Sequence, residues 1–241
     1  MTNEILDTEI YELDGIKLKN PIIFTGFVGA GLVGPIAIQQ IIDKLNMKEI
    51  GFLRSKHLPP STVFTQGRLR HPFRFYSNDA GDICAIICEI IINSEGLYTI
   101  ASAILDWAEK NGSNEIIILD GIASNKHDKK AFCAAEADLC RVMEEHGIQM
   151  IPQGFIIGIS GGILNECLIR KIKGVTLLVK ADETMPDTLA AVTLIEAINK
   201  VYGINVDTQD LKKQKVQIGN ELKELSNKYS EHKKIDSNMY M

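Results

Sequence analysis

The stretch Pro21–Leu45, PIIFTGFVGAGLVGPIAIQQIIDKL, changes character twice. Pro21–Phe27 is a short apolar run ending at glycine-rich chain, which predicts a buried strand. From Val33 to Leu45 the apolar residues Ile38, Ile41, Ile42 and Leu45 recur at helical spacing. Between the two lies a tight glycine turn, so the stretch reads strand, turn, helix.

Downstream the same unit repeats. Glu49–Arg54 is the next strand, and Thr62–Gln66 and Phe73–Ser77 follow as a β-rich portion with the loop GRLRHP between them. Asn78–Asp79–Ala80–Gly81 is a hairpin signal. Asp82–Ile92 is the most apolar strand and is expected at the centre, because a strand covered on both faces need not alternate. Then helices and strands alternate: helix Gly96–Lys110, strand Glu115–Leu119, helix Lys129–His146, strand Phe155–Ile159, helix Ile163–Ile172, strand Val175–Val179 and helix Asp187–Tyr202. Repeated strand–helix units predict an α/β domain, a largely parallel sheet with helices on both faces, here with an antiparallel portion. No internal repeat is visible.

The chain has 241 residues, and a single α/β domain of ~200–250 residues is common, so one domain of residues 1–207 with an appendage is expected. Past Thr208 the texture changes. Leu211, Ile218, Leu222, Leu225 and Tyr229 are spaced seven, four, three and four, a heptad seam among polar residues. A C-terminal amphipathic helix over 208–230 is expected, with a flexible tail over 231–241.

Composition excludes several classes. At 45% hydrophobic and 24% charged residues the chain has material for a full core. Its longest apolar run, Ile83–Ile92, is broken by Glu89 and falls short of the ~20 residues that span a bilayer. The acidic start MTNEILDTEI is not a secretory signal. A net charge of −5 argues against a general nucleic-acid binder. Cys84, Cys88, Cys133, Cys140 and Cys167 form no CxxC, match no zinc spacing, and read as reduced thiols of a cytoplasmic protein. No metal site is expected.

Three features invite a catalytic reading. Gly29–Gly34 is a literal GxGxxG, with Gly29, Gly31 and Gly34 as weak cofactor-binding candidates for a dinucleotide. The acidic residue expected after the second strand is missing; Arg54, Ser55 and Lys56 stand there, and a tight strand-to-helix turn explains the glycines more simply. Gly158–Gly162 is a literal GxSxG around Ser160, but its nucleophile elbow requires a later histidine, and only the charged-tail His232 follows. Glu89 interrupts the most apolar strand and calls for a partner, with Arg68, Arg70, His71 and Arg74 as candidates; a structural pair is the favoured reading. His127–Asp128 reads as a polar loop. No catalytic residue is assigned and no cofactor is expected.

Gly26–Gly34, GFVGAGLVG, resembles the signature GFPGxGLVG of the proteasome assembly chaperone family, with Val28 in place of the usual proline. Further features of that family follow in order: Leu58–Thr62, Gly67 with His71–Pro72, Glu89 and Tyr98, Leu119–Asp120–Gly121, Gly158–Gly162, and a helix with Asp187, Ala190 and Ala191. The resemblance spans residues 9–212. It implies a three-layer α/β/α domain of phosphorylase-like architecture that acts by binding, as a homo-oligomer, on the α-subunits of the proteasome core particle.

Given that resemblance, the ending Met239–Tyr240–Met241 gains meaning: a hydrophobic residue, tyrosine and any residue is the tail such proteins insert between α-subunits. Met239, Tyr240 and Met241 are therefore the expected partner-binding residues. The expected role is an ATP-independent assembly chaperone or core-particle-binding factor, with no nucleic-acid or membrane partner. The alternative is a phosphorylase- or hydrolase-type enzyme using the glycine turns on a small metabolite.

Overall fold

The computed structural model describes residues 7–65, 67–124 and 128–213. The chain opens with strand β1 (Thr8–Glu12), then β2 (Ile22–Gly26), helix α1 (Val33–Lys44) and β3 (Lys48–Ser55). A small hairpin, β4 (Val63–Thr65) and β5 (Arg68–Arg70), precedes β6 (Phe73–Ser77), β7 (Ile83–Cys88) and α2 (Leu97–Lys110). Then come β8 (Glu115–Ala123), β9 (Ala131–Ala135), α3 (Ala137–Glu145), β10 (Gln149–Met150), α4 (Gly158–Arg170), β11 (Lys173–Ala181) and α5 (Thr188–Tyr202).

Among the described residues nine strands form one sheet in the order β1-β3-β6-β7-β2-β8-β11-β9-β10. Its centre, β7, β2, β8 and β11, is parallel. The β6, β3 and β1 flank is antiparallel, and β9 runs antiparallel to β11. The antiparallel flank expected from the turn chemistry is present: Asn78 Oδ1 accepts the amides of Gly81, Asp82 and Ile83 and closes the β6–β7 hairpin.

The central strands are apolar on both faces because both faces are covered. In β8, Ile117 and Leu119 pack with α1 and α5, while Ile116 and Ile118 pack with α2 and α4. In β7, Ala85 and Ile87 face the first layer and Cys84, Ile86 and Cys88 the second. Period-2 alternation thus sorts two apolar sets between two helical layers. All five cysteines are free and buried, and burial raises the thiols of Cys84, Cys88, Cys133 and Cys167 to about 12.

Several segments differ from the sequence expectation, among them the expected loop GRLRHP, whose Arg68–Arg70 is strand β5. The predicted helix 129–146 begins with a strand, since Ala131–Ala135 pairs with β11 and only Ala137–Glu145 is helical. Its short alanine-rich run fits either period, and an open sheet edge decides for the strand. The predicted strand Phe155–Ile159 is absent. The apolar run there ends in Gly158 at φ 72 and continues directly into α4, leaving Phe155 and Ile157 outside the core. Strand β1 carries too little apolar pattern to stand out in the sequence; it is held by five-residue pairing with β3. Residues 209–213 are helical; the rest of the helix expected over 208–230, and the tail over 231–241, lie outside the described residues.

Candidate functional site

The carboxyl ends of β7, β2, β8 and β11 meet along one edge of the sheet, where ligands bind in open parallel sheets. All three sequence features with a catalytic look lie here, together with a fourth pair that sequence reasoning did not assemble.

The glycine turn is built by close approach of backbone. A Cβ on Gly26 would overlap the carbonyl of Gly34, and one on Gly34 would stand 2.7 Å from Leu119 O and 2.9 Å from Phe27 N. Gly31 has φ 63, and a side chain there would meet Ala181 Cβ at 2.9 Å and Asp187 Cβ at 3.0 Å. The turn is therefore pressed onto β8, β11 and the start of α5. A Cβ on Gly29 would come 2.7 Å from Asp120 Oδ1. A carboxylate stands beside the backbone that a pyrophosphate would have to approach, which opposes a second anion electrostatically. Gly29, Gly31 and Gly34 are thus explained by packing.

Ser160, in the first turn of α4, is 2% exposed. Its Oγ donates to Asp120 Oδ2 at 2.9 Å, and the Gly121 amide donates to Asp120 Oδ1 at 2.8 Å. Burial pushes the Asp120 carboxyl above the usual aspartate range, against the opposing pull of those two donors. The described histidines lie elsewhere. His71 stacks on Phe52 at 3.7 Å, His57 packs on Gly96, and His146 Nδ1 lies 2.9 Å from Val142 O at the end of α3. His127 and His232 lie outside the described residues. The hydroxyl proton of Ser160 is directed at a carboxylate, an arrangement that fixes α4 against β8.

Glu89 finds the partner its position called for. Arg74 Nη2 donates to Glu89 Oε2 at 2.6 Å, Nε donates to Tyr76 Oη at 2.8 Å, and Nη1 donates to the His71 carbonyl. Arg74 is 2% exposed, and each of its three guanidinium nitrogens donates to an acceptor of the protein. Of the four candidate partners, Arg74 makes the ion pair; Arg70 instead donates to Tyr76 Oη at 3.3 Å.

The pair not assembled from sequence is Lys129 with Asp187. Lys129 Nζ donates to Asp187 Oδ2 and, at 2.8 Å, to Lys180 O. Asp187 also caps α5 by accepting the Ala190 amide at 3.1 Å, accepts the Asp182 amide at 3.2 Å, and donates its own amide to Gly31 O at 2.8 Å. Burial alone would raise the Asp187 carboxyl; the ammonium and the two amides outweigh it and hold it below the usual range. The cap was legible, since an aspartate immediately before a helical run is an N-cap signal. The lysine, 58 residues away, was not.

A scan of family models matches residues 23–226 to the PAC2 family. The chain belongs to the PAC2 family. Similar solved structures show the same fold. A Thermoplasma acidophilum protein with unknown function is 36% identical, with 88% of this chain and 90% of that one covered and a TM-score of 0.76. PbaA of Pyrococcus furiosus, an archaeal homolog of proteasome-assembly chaperone, is 26% identical over 97% of this chain and 98% of that one, with a TM-score of 0.88. An uncharacterized protein of Methanocaldococcus jannaschii is 29% identical, with 89% of each chain covered. Within this PAC2 fold the glycine turn, Asp120–Ser160, Arg74–Glu89 and Lys129–Asp187 tie one edge of the sheet together. Among the described residues no helix is long and apolar enough to cross a membrane, and no group of three or more His, Cys, Asp or Glu residues is placed to hold a metal ion.

Proposed function

We propose that this chain is an ATP-independent proteasome-binding factor, an assembly chaperone or a core-particle-binding protein, that docks Met239, Tyr240 and Met241 between α-ring subunits. The observation that carries the reading is the likeness to PbaA over nearly the whole of both chains. The polar chemistry of the carboxyl edge supports it, because Glu89 bonds Arg74 while Ser160 bonds Asp120, two pairs with no shared partner. A phosphorylase- or hydrolase-type site would bring such groups to one point.

The tail suits recognition physically. A terminal carboxylate accepts a charge-assisted bond from a lysine, tyrosine offers a ring with a polar tip, and methionine adapts to an irregular pocket. One such tripeptide binds weakly because ordering it opposes association. A homo-oligomer that displays several tails gains avidity of about 10²–10⁴, so self-association belongs to the proposal.

The test is equilibrium binding to purified proteasome α-rings. Removing Met239–Met241 abolishes most binding, Tyr240→Ala weakens it by about 2 kcal/mol or more, and Ser160→Ala leaves it unchanged. Equal binding by the intact and truncated chains would reject the tail mechanism, and loss through Ser160→Ala with the fold intact would move the site to the glycine edge.

A further inference from the structure

The hairpin β4–β5 stands apart from the nine-stranded sheet as a two-stranded sheet of its own. Val63 pairs with Arg70, Phe64 with Leu69 and Thr65 with Arg68. Opposed residues of an antiparallel pair share a face, and faces alternate along each strand. One face is therefore Phe64 with Leu69, and the other carries Arg68 and Arg70. Phe64 is 75% and Leu69 79% exposed, so neither the opposite strand nor the domain covers them. Natural sheets blunt an open edge, and apolar side chains beside one invite pairing with another chain.

The charges around the hairpin are of one sign. Between Glu49 and Asp79 the chain has no acidic residue, while Arg54, Lys56, Arg68, Arg70 and Arg74 fall there, in a protein of net charge −5. Three of these cations meet an acid of the fold. Lys56 pairs with Asp7, Arg74 pairs with Glu89, and Arg54 stands opposite Glu9 in the β1–β3 register. Arg68 and Arg70 have no acidic partner among the described residues. Arg70 donates to Tyr76 Oη at 3.3 Å, which ties the hairpin to β6.

The pleat then decides what fits. A flat partner laid on the apolar face, such as a lipid surface, leaves both arginines turned away from it. A nucleic acid drawn to the arginines leaves Phe64 and Leu69 bare. A second hairpin of the same kind sets arginine against arginine. An extended strand added along β5 meets both faces at once, because its own side chains alternate. The order Arg68–Leu69–Arg70 is cation, apolar, cation, and its complement is acid, apolar, acid. No third strand pairs with β5 among the described residues.

We infer that the outer edge of β5 is a docking site for an extended segment of a partner protein in which acidic and apolar residues alternate. Its carboxylates face Arg68 and Arg70, its apolar side chains extend the Phe64–Leu69 patch, and main-chain hydrogen bonds join the two backbones. The site goes beyond the proposed function, since it makes no use of the tail.

Fluorescence anisotropy of the full-length chain with short labelled probes tests it. The probes are an alternating Glu–Leu peptide, an alternating Lys–Leu peptide, a Glu–Leu peptide of equal composition with its glutamates in one block, an oligothymidylate, and vesicles of anionic lipid. The alternating Glu–Leu peptide alone binds saturably, and more weakly as salt is added. Arg68→Glu and Leu69→Ser, one on each face, each weaken it by about tenfold or more with unchanged circular dichroism, and removing Met239–Met241 changes nothing. An isolated two-stranded hairpin is marginally stable, so the bound peptide also slows amide exchange over residues 63–70. A Glu–Leu peptide that fails to bind, equal binding of the Lys–Leu or block peptide, or folded Arg68→Glu and Leu69→Ser chains that bind as wild type would each overturn the site. Tighter binding of oligothymidylate or of vesicles would overturn it in favour of that ligand.

Discussion

At the scale of single residues, two aspartates at the same sheet edge titrate in opposite senses. Asp187 has its carboxyl held below the ordinary value, so its contribution to stability is present above about pH 4 and is lost as the pH falls through its folded-state value. Asp120 has its carboxyl raised by burial, so the fold gains stability as the pH falls through that raised value toward about 4. Asp187→Ala removes a cap and strands the Lys129 ammonium, which is 16% exposed; its cost at neutral pH is about 3–5 kcal/mol, the range for breaking a buried pair. Urea unfolding from neutral pH down to about pH 2 reads both effects. The gap between wild type and Asp187→Ala narrows on acidification only at the lowest pH. Relative to wild type, Asp120→Asn loses ground as the pH is lowered, because it lacks the group that gains the proton. Parallel pH curves for wild type and Asp120→Asn would show that burial does not govern that carboxyl.

At the scale of elements, the turn from Gly26 to Gly34 is where β2, β8, β11, α1 and α5 are brought within backbone distance. Gly34→Ala places a methyl 2.7 Å from Leu119 O and 2.9 Å from Phe27 N, with no flexible side chain to give way. The expected cost is about 3 kcal/mol or more, at the upper end of overpacking, against about 1–2 kcal/mol for Gly147→Ser, where no neighbour lies within 4 Å and the cost is the left-handed backbone at φ 79. Thermal denaturation of the two variants measures the contrast, and equal melting temperatures would contradict the packing account. Strand and helix identity was legible where pattern and length agreed, as in the central strand ending at Cys88 and the helix Thr188–Tyr202. It was not legible at Ala131–Ala135, where short alanine-rich chain fits two periods and the sheet edge decides. Nor was it at Phe155–Ile157, where apolar residues suggest a buried strand and the fold leaves them on the surface. Apolar character alone does not place a residue inside, since much of a folded surface is apolar.

At the scale of the whole molecule, the layered α/β/α architecture could be read from alternating elements because each period reports which face is covered. The pairings at the carboxyl edge could not, since Arg74–Glu89, Asp120–Ser160 and Lys129–Asp187 join residues 15, 40 and 58 positions apart. Only the folded sheet brings them together. With those polar groups bonded within the chain, the proposed role of the globule is to carry and multiply a binding element. The most direct test is the structure of the full chain bound to a proteasome core particle, determined by electron cryomicroscopy. The account predicts density for Met239–Tyr240–Met241 in the clefts between adjacent α-subunits, with the phenol of Tyr240 buried there. A complex in which the globular domain grips the ring while those clefts stand empty would contradict it.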